Sequence, residues 1–286
     1  MEIILLVKYL DSIEPMDVTW YITAMFGFLI KKTFFDMWDN LFRIIILNLG
    51  YIIALGIAVF LPYLTQFIPL VPQAVLLFVL LFLSVSIISV YSGAASCIVR
   101  DISDYLEPGF KDFYKYIKET YKPSLLFALV NTLIFFLLSL AMPFYLSVKS
   151  LLGPLAFALL FWIAVIWIIS CQYFFPIQSR LDKSFKKNLK KMFLVFFDNT
   201  AFSVGLLIGS TAIFIISTFT AFMLPGIATV LLWVNVGFKL RLYKYDYLDA
   251  HPEVNRKKIP WEALLIQDKE RVGKRTLRGM IFPWKE

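Results

Sequence analysis

The chain has 286 residues, of which 60% are hydrophobic and only 17% charged, and its mean hydropathy is +0.76. Soluble domains carry about 25% charged residues, so too little polar surface is present to clothe a water-soluble fold of this length. The net charge of +8 is segregated as well: 56 residues between Arg43 and Arg100 contain no Asp, Glu, Lys or Arg, and further uncharged stretches run 123–148, 150–179 and 199–238. A membrane-crossing helix needs about 20 such residues. The expected class is therefore an all-α, polytopic membrane protein.

The opening MEIILLVKYLD has an acid at position 2, a short apolar core and no small-residue cleavage site, and does not read as a secretory signal. Residues 18–30, VTWYITAMFGFLI, are apolar but number only 13 and end at Lys31-Lys32. That length suits an interfacial or re-entrant helix; a crossing here would place the N-terminus outside. Residues 1–33 are read as an N-terminal interfacial segment.

FFDMWDNLFRIIILNLG, residues 34–50, leads into the first long apolar run. Phe34, Phe35, Trp38 and Phe42 stand where an interfacial aromatic belt is expected. Residues four apart share a helix face, so Asp39 and Arg43 are placed to pair, and Asp36, Asn40 and Asn48 form a stripe with Ile44. The run itself breaks at LPYLTQFIPLVPQ, whose prolines interrupt helices. Six spans are expected: about 41–61, 72–98, 123–146, 154–177, 200–223 and 226–244, with Lys239 and Arg241 snorkelling from the last. Residues 34–245 form the transmembrane domain.

With six spans, three short loops share one side, and of 28 basic residues only Lys149 falls there. Basic residues stay cytoplasmic during insertion, so both termini are expected in the cytoplasm, with all 20 acids beside them.

The interior polar side chains are Asn48, Asn131, Gln172 and Asn235. They are helix glue or, in a sharper reading, the lining of a polar path. Asn48 should bond another helix rather than lipid. Gly205-Leu-Leu-Ile-Gly209 and the small cluster Ser92–Ser96 predict close helix contacts, within the chain or between copies. The two cysteines, Cys97 and Cys171, read as buried thiols. His251 reads as a turn residue, and the acids of RDISDYLEPGFKD, residues 100–112, as a solvated loop. No P-loop, zinc-protease motif or nucleophile elbow is present; neither enzyme activity, cofactor nor metal is expected.

The charged side carries amphipathic segments. Phe110, Phe113, Tyr114 and Ile117 recur at helical spacing among Lys111, Lys115 and Lys118, as in a helix lying on the inner membrane surface. Residues 179–193 place six basic residues, Lys186, Lys187 and Lys190 among them, around Leu181, Phe185 and Leu189. In the tail, residues 246–286, Pro260 opens a helix with Trp261, Leu264 and Leu265 on one face, and Gly273 ends it. Lys274, Arg275 and Arg278 then precede Ile281, Phe282 and Trp284. Such faces meet anionic headgroups or dock a partner protein; beside six spans, lipid accounts for them better than nucleic acid does.

Phe196-Phe197-Asp198 before the fifth span echoes Phe34-Phe35-Asp36 before the first, and both spans end in Leu-Pro. A decayed two-helix repeat would explain this. The two spacings to the following Asp-Tyr-Leu differ by about 20 residues, and interface composition alone could produce the echo.

Leu47-Asn48-Leu49, Leu61-Pro62-x-x-Thr65, the cluster at 92–96 and Phe110-Lys-Asp-Phe113 resemble the YesL-like family of bacterial membrane proteins over residues 34–245. Gln66-Phe67 departs from the pattern, where a glycine usually follows the threonine, and the tail lies outside it. That family has no established biochemical activity, and its members are often encoded near carbohydrate ABC transporters. The resemblance implies an accessory, partner-binding role in sugar uptake. The alternative is a transporter of a neutral or lipid-like substrate. The glutamate-alanine-alanine–glycine loop with which ABC permeases engage their ATPase is absent.

Overall fold

The computed structural model describes residues 18–67, 72–254, 259–273 and 275, and among them every regular element is helical. The helices are α1 (Val18–Asp39), α2 (Leu41–Phe60, continued by a 3-10 turn over Leu61–Phe67), α3 (Gln73–Ser103), α4 (Phe110–Ser147), α5 (Leu152–Cys171), α6 (Phe174–Arg180), α7 (Phe185–Asp198), α8 (Thr200–Thr218), α9 (Gly226–Ala250), α10 (Trp261–Leu264) and α11 (Ile266–Val272). They form two compact units: residues 40–235, and residues 1–39 together with 236–286.

Five stretches are long and apolar enough to cross a membrane: Leu41–Phe67, Gln73–Ser103, Lys111–Ser147, Leu152–Arg180 and Thr200–Thr218. Their outer faces are apolar and exposed, as in Phe135, Leu137, Trp162, Ile163 and Ile208, the surface that lipid covers. The expected sixth span is not among them. α9 carries Asn235, Lys239 and Arg241 along its length, and Leu232–Arg241 is buried in protein throughout. Lys239 and Arg241 therefore do not snorkel.

Two further expectations are corrected in the larger unit. The segment around Phe113 is no separate surface helix; it is the first turns of α4, which runs unbroken through Pro123 and Pro143. In α7 the buried stripe is Asn188, Met192, Val195 and Phe196, while Leu181 precedes the helix and is exposed. Lys186, Lys187 and Lys190 do line the open face.

α2 and α3 pair closely. Tyr51 Oη donates to Ser92 Oγ and Ser84 Oγ to the Ala58 carbonyl. Gly93 of α3 serves the contact with α4: a Cβ on it would stand 2.5 Å from Ser124 Oγ. Gly209 of α8 likewise admits the Trp233 ring, whose Nε1 donates to the Leu206 carbonyl. Both small-residue faces are thus filled from within the chain.

Candidate functional site: a lateral groove and two ionic clusters

In the larger unit, a cavity of about 460 Å³ opens between α2, α3 and the start of α4. Its floor along α2 is Ile46, Leu49, Gly50 and Ile53, the i, i+3, i+4, i+7 face of one helix. Tyr91 and Ile98 of α3 and Phe113 of α4 form the opposite wall, and Pro108 and Gly109 rim it. Gly50 leaves room for Tyr91: a Cβ there would collide with Tyr91 Oη, which donates to the Leu47 carbonyl. At the rim stands Arg43. Its Nε donates to the Pro108 carbonyl (3.2 Å) and its Nη1 to Asn40 Oδ1 (2.7 Å), which fixes the guanidinium. Nη2 faces Glu107 at 3.6 Å, and that glutamate is 86% exposed.

The end of α3 carries a first ionic cluster. Arg100 holds Asp101 through Nε (2.8 Å) and Nη2 (2.6 Å), Tyr116 donates to the same carboxylate, and Arg180 holds Asp104. Asp101 is buried. Arg100 and Asp101 thus belong to a helix end packed against α4 and α6, which corrects the solvated-loop reading of residues 100–112. Beneath lies a polar layer: Asn235 donates to Ser96, and Gln178 Nε2 to the Thr120 carbonyl.

The second cluster lies in the smaller unit. Lys32 is fully buried and pairs with Asp36 one turn on (2.9 Å) and with Asp268 of α11 (3.6 Å). Lys239 reaches the same Asp268 oxygen (3.3 Å), and Tyr243 donates to its other oxygen (2.9 Å). Burial pushes the Asp36 carboxyl up to about 6, against the pull of Lys32. Burial also lowers the Lys32 ammonium, with Asp36 and Asp268 opposing. It drives Asp268 upwards too, but Lys32, Lys239 and Tyr243 outweigh it and hold that carboxyl below its ordinary range. Around this core Arg241 lies over the Trp261 ring, Lys31 donates to the Gly273 carbonyl, and Arg275 grips Asp39 bidentately while covering Phe35.

The predicted entry motif is therefore divided. Asp39 and Arg43 do not pair; Asp39 binds Arg275, and Arg43 binds Asn40, Pro108 and Glu107. Asp36 belongs to the second cluster, and Asn48 has left the stripe. Its Nδ2 donates to the Met223 and Pro225 carbonyls and its Oδ1 accepts from the Ala228 N–H. This satisfies an unwound turn in which Ala221 and Phe222 have positive φ and Leu224-Pro225 is cis. Asn48 sits seven residues into α2, about 10 Å along its axis. The turn thus meets α2 near its start, far from the Leu61–Phe67 segment with which the loop count had grouped it.

Asn131 joins the Phe127 carbonyl and Trp167, Gln172 donates to the Ser203 carbonyl, and none of the four interior amides lines the groove. Gly205 lies one turn before Gly209. The Phe110 side chain, Lys274, Arg278, Phe282 and Trp284 fall outside the described residues. Cys97 and Cys171 are free thiols, and His251 caps α9 through the Tyr247 carbonyl. Among the described residues no cluster of His, Cys, Asp or Glu could hold a metal.

Sequence reasoning missed the second cluster. One signal was present: Lys32 and Asp36 are spaced i, i+4, the spacing of a helical ion pair. No family model, curated protein or solved structure matches this chain.

Proposed function

We propose that this membrane protein is a non-enzymatic accessory subunit that docks a partner membrane complex through its tail-bearing unit. One observation carries the reading: α1, α9 and α11 are interlocked by Lys32, Asp36, Lys239 and Asp268, all buried. Buried ion pairs are weak sources of stability and, in the best-attested cases, specify register. A tail that only rested on lipid would need no register; a docking element does. The fixed tail presents Ile266 among Glu262, Gln267, Lys269 and Glu270. The charge count supports a cytoplasmic position for both termini, with the α8–α9 hairpin entering and leaving on the cytoplasmic side, and the YesL-like resemblance supports a bacterial inner membrane and a carbohydrate transporter as the partner. Transport by the chain itself would need a continuous polar path, whereas each interior amide is engaged in a separate helix contact.

The test is purification from the native membrane in mild detergent, for the full chain and for a chain ending at Asp249. Stoichiometric recovery of transporter subunits with the full chain and their loss on truncation are expected. A protein that emerges alone from both preparations overturns the reading.

A further inference from the structure

The groove along α2 has a polar end and an apolar bed, and these match two halves of one molecule. Ile46, Leu49 and Ile53 are 44%, 47% and 58% exposed, so the bed is open along its side. From Arg43 to Ile53 the helix rises about 15 Å, a distance that runs from the headgroup level into the hydrocarbon. At the upper end the Arg43 guanidinium is already oriented by Pro108 and Asn40. Among the described residues its remaining edge meets the solvated Glu107, at 3.6 Å. Such exposed pairs contribute little, so an anion reaching Nη2 displaces a weak partner and gains a charge-assisted bond in a preformed site.

We propose that this groove binds one anionic phospholipid of the adjoining leaflet. Its phosphate sits on the Arg43 guanidinium, and one acyl chain lies over Ile46, Leu49 and Ile53 towards Tyr91. Pro108 and Gly109 close the rim above the headgroup, and Gly50 keeps the bed shallow enough for Tyr91 to form its far wall. The site is independent of the docking unit and does not rest on that reading.

Native mass spectrometry of the purified full chain tests this, with phosphatidylglycerol or phosphatidylcholine of identical acyl chains added. One phosphatidylglycerol should survive collisional activation that strips phosphatidylcholine, a preference of at least tenfold. Arg43→Gln should abolish that preference while phosphatidylcholine binding stays unchanged. Leu49→Trp, which fills the bed without touching Arg43, should reduce retention of both lipids. Thermal unfolding in detergent establishes that each variant is folded. Equal retention of the two lipids by the wild type, or an undiminished preference in folded Arg43→Gln, overturns the proposal. If Arg43→Gln does not fold, Leu49→Trp decides: unchanged phosphatidylglycerol retention then refutes the site.

Discussion

At the scale of single residues, Asn48 does the most with the least. One amide supplies two donated bonds and one accepted bond to a turn where the helical ladder is broken. Gly226 is matched to it: its φ is +72°, and a Cβ there would collide with the Asn48 amide. Truncation by Asn48→Ala takes this partner from the Met223 carbonyl and the Ala228 N–H, while the Pro225 carbonyl keeps the Thr229 hydroxyl. At about 1–3 kcal/mol per stranded group, the expected loss is about 2 kcal/mol or more, read from denaturant unfolding in detergent. Asn48→Asp keeps the acceptor for Ala228 but sets a carboxylate against two carbonyl oxygens, and should be no milder. A loss below 1 kcal/mol for Asn48→Ala would show that water or lipid serves the turn instead.

At the scale of elements, the interlocked helices of the smaller unit make an opposed pair of pH predictions. Asp36 titrates near 6 in the folded protein, above an unfolded carboxyl near 3.8. Between those values the folded state binds more protons than the unfolded one, so this group makes stability fall as pH rises. Asp268 is shifted the other way, and its contribution is present above the unfolded value and lost as pH falls through the lower folded one. Asp36→Asn should therefore flatten the stability profile between about pH 4 and 6. Asp268→Asn should remove hydrogen-exchange protection from residues 261–272 at neutral pH and leave α3 protected. Equal protection of 261–272 in wild type and Asp268→Asn would mean that the remaining anchors, Lys31 on the Gly273 carbonyl, Arg275 on Asp39 and the buried Trp261 and Leu265, hold the tail without Asp268.

These elements also show where reading from sequence succeeds. α2, α3, α5 and α8 follow from uncharged runs bounded by Pro62, Pro72, Gly153-Pro154 and Asn199, because bilayer thickness sets a helix length that composition reveals. The tail helix was legible from Pro260 and Gly273, whose φ of +69° ends α11. What composition hides is who meets whom. Lys239 next to an apolar run looks like a snorkelling residue until Asp268 is placed beside it. Asp39 and Arg43 have ideal helical spacing, yet Asn40 interrupts the helix between them and each turns to a distant partner. The same break recurs at Asn199: both are Asp-Asn steps at which one helix stops and an apolar one starts. Aligning the two halves on Asp39-Asn40 and Asp198-Asn199 is closer to the backbone than aligning them on Phe-Phe-Asp.

At the scale of the whole molecule, charge distribution makes a labelling prediction. In a chain with Cys97 and Cys171 replaced, single cysteines at Thr65 and Lys149 should react with an impermeant thiol reagent added outside intact cells. Cysteines at Leu106, Lys186 and Glu262 should react only after the membrane is opened. A cysteine at Phe222 is expected to resist the external reagent, since its turn packs beside Asn48 rather than at the outer end of α2. Ready external labelling at Phe222 would restore the sixth crossing; external labelling at Lys186 would reverse the assigned orientation.

The second ionic cluster also sets an order of events in time. Lys32 leaves the ribosome before Asp268, which follows 236 residues later. At about 5–20 residues per second, α1 waits on the order of ten seconds to nearly a minute before its ammonium acquires the second carboxylate. Until then the Lys32–Asp36 pair lacks the partners Asp268 and Lys239 that complete the cluster, so α1 is expected to stay unburied until both have been made. Closure of this cluster is thus available only to a chain that has been made through α11, and a chain broken off earlier is expected to leave the Lys32–Asp36 pair exposed.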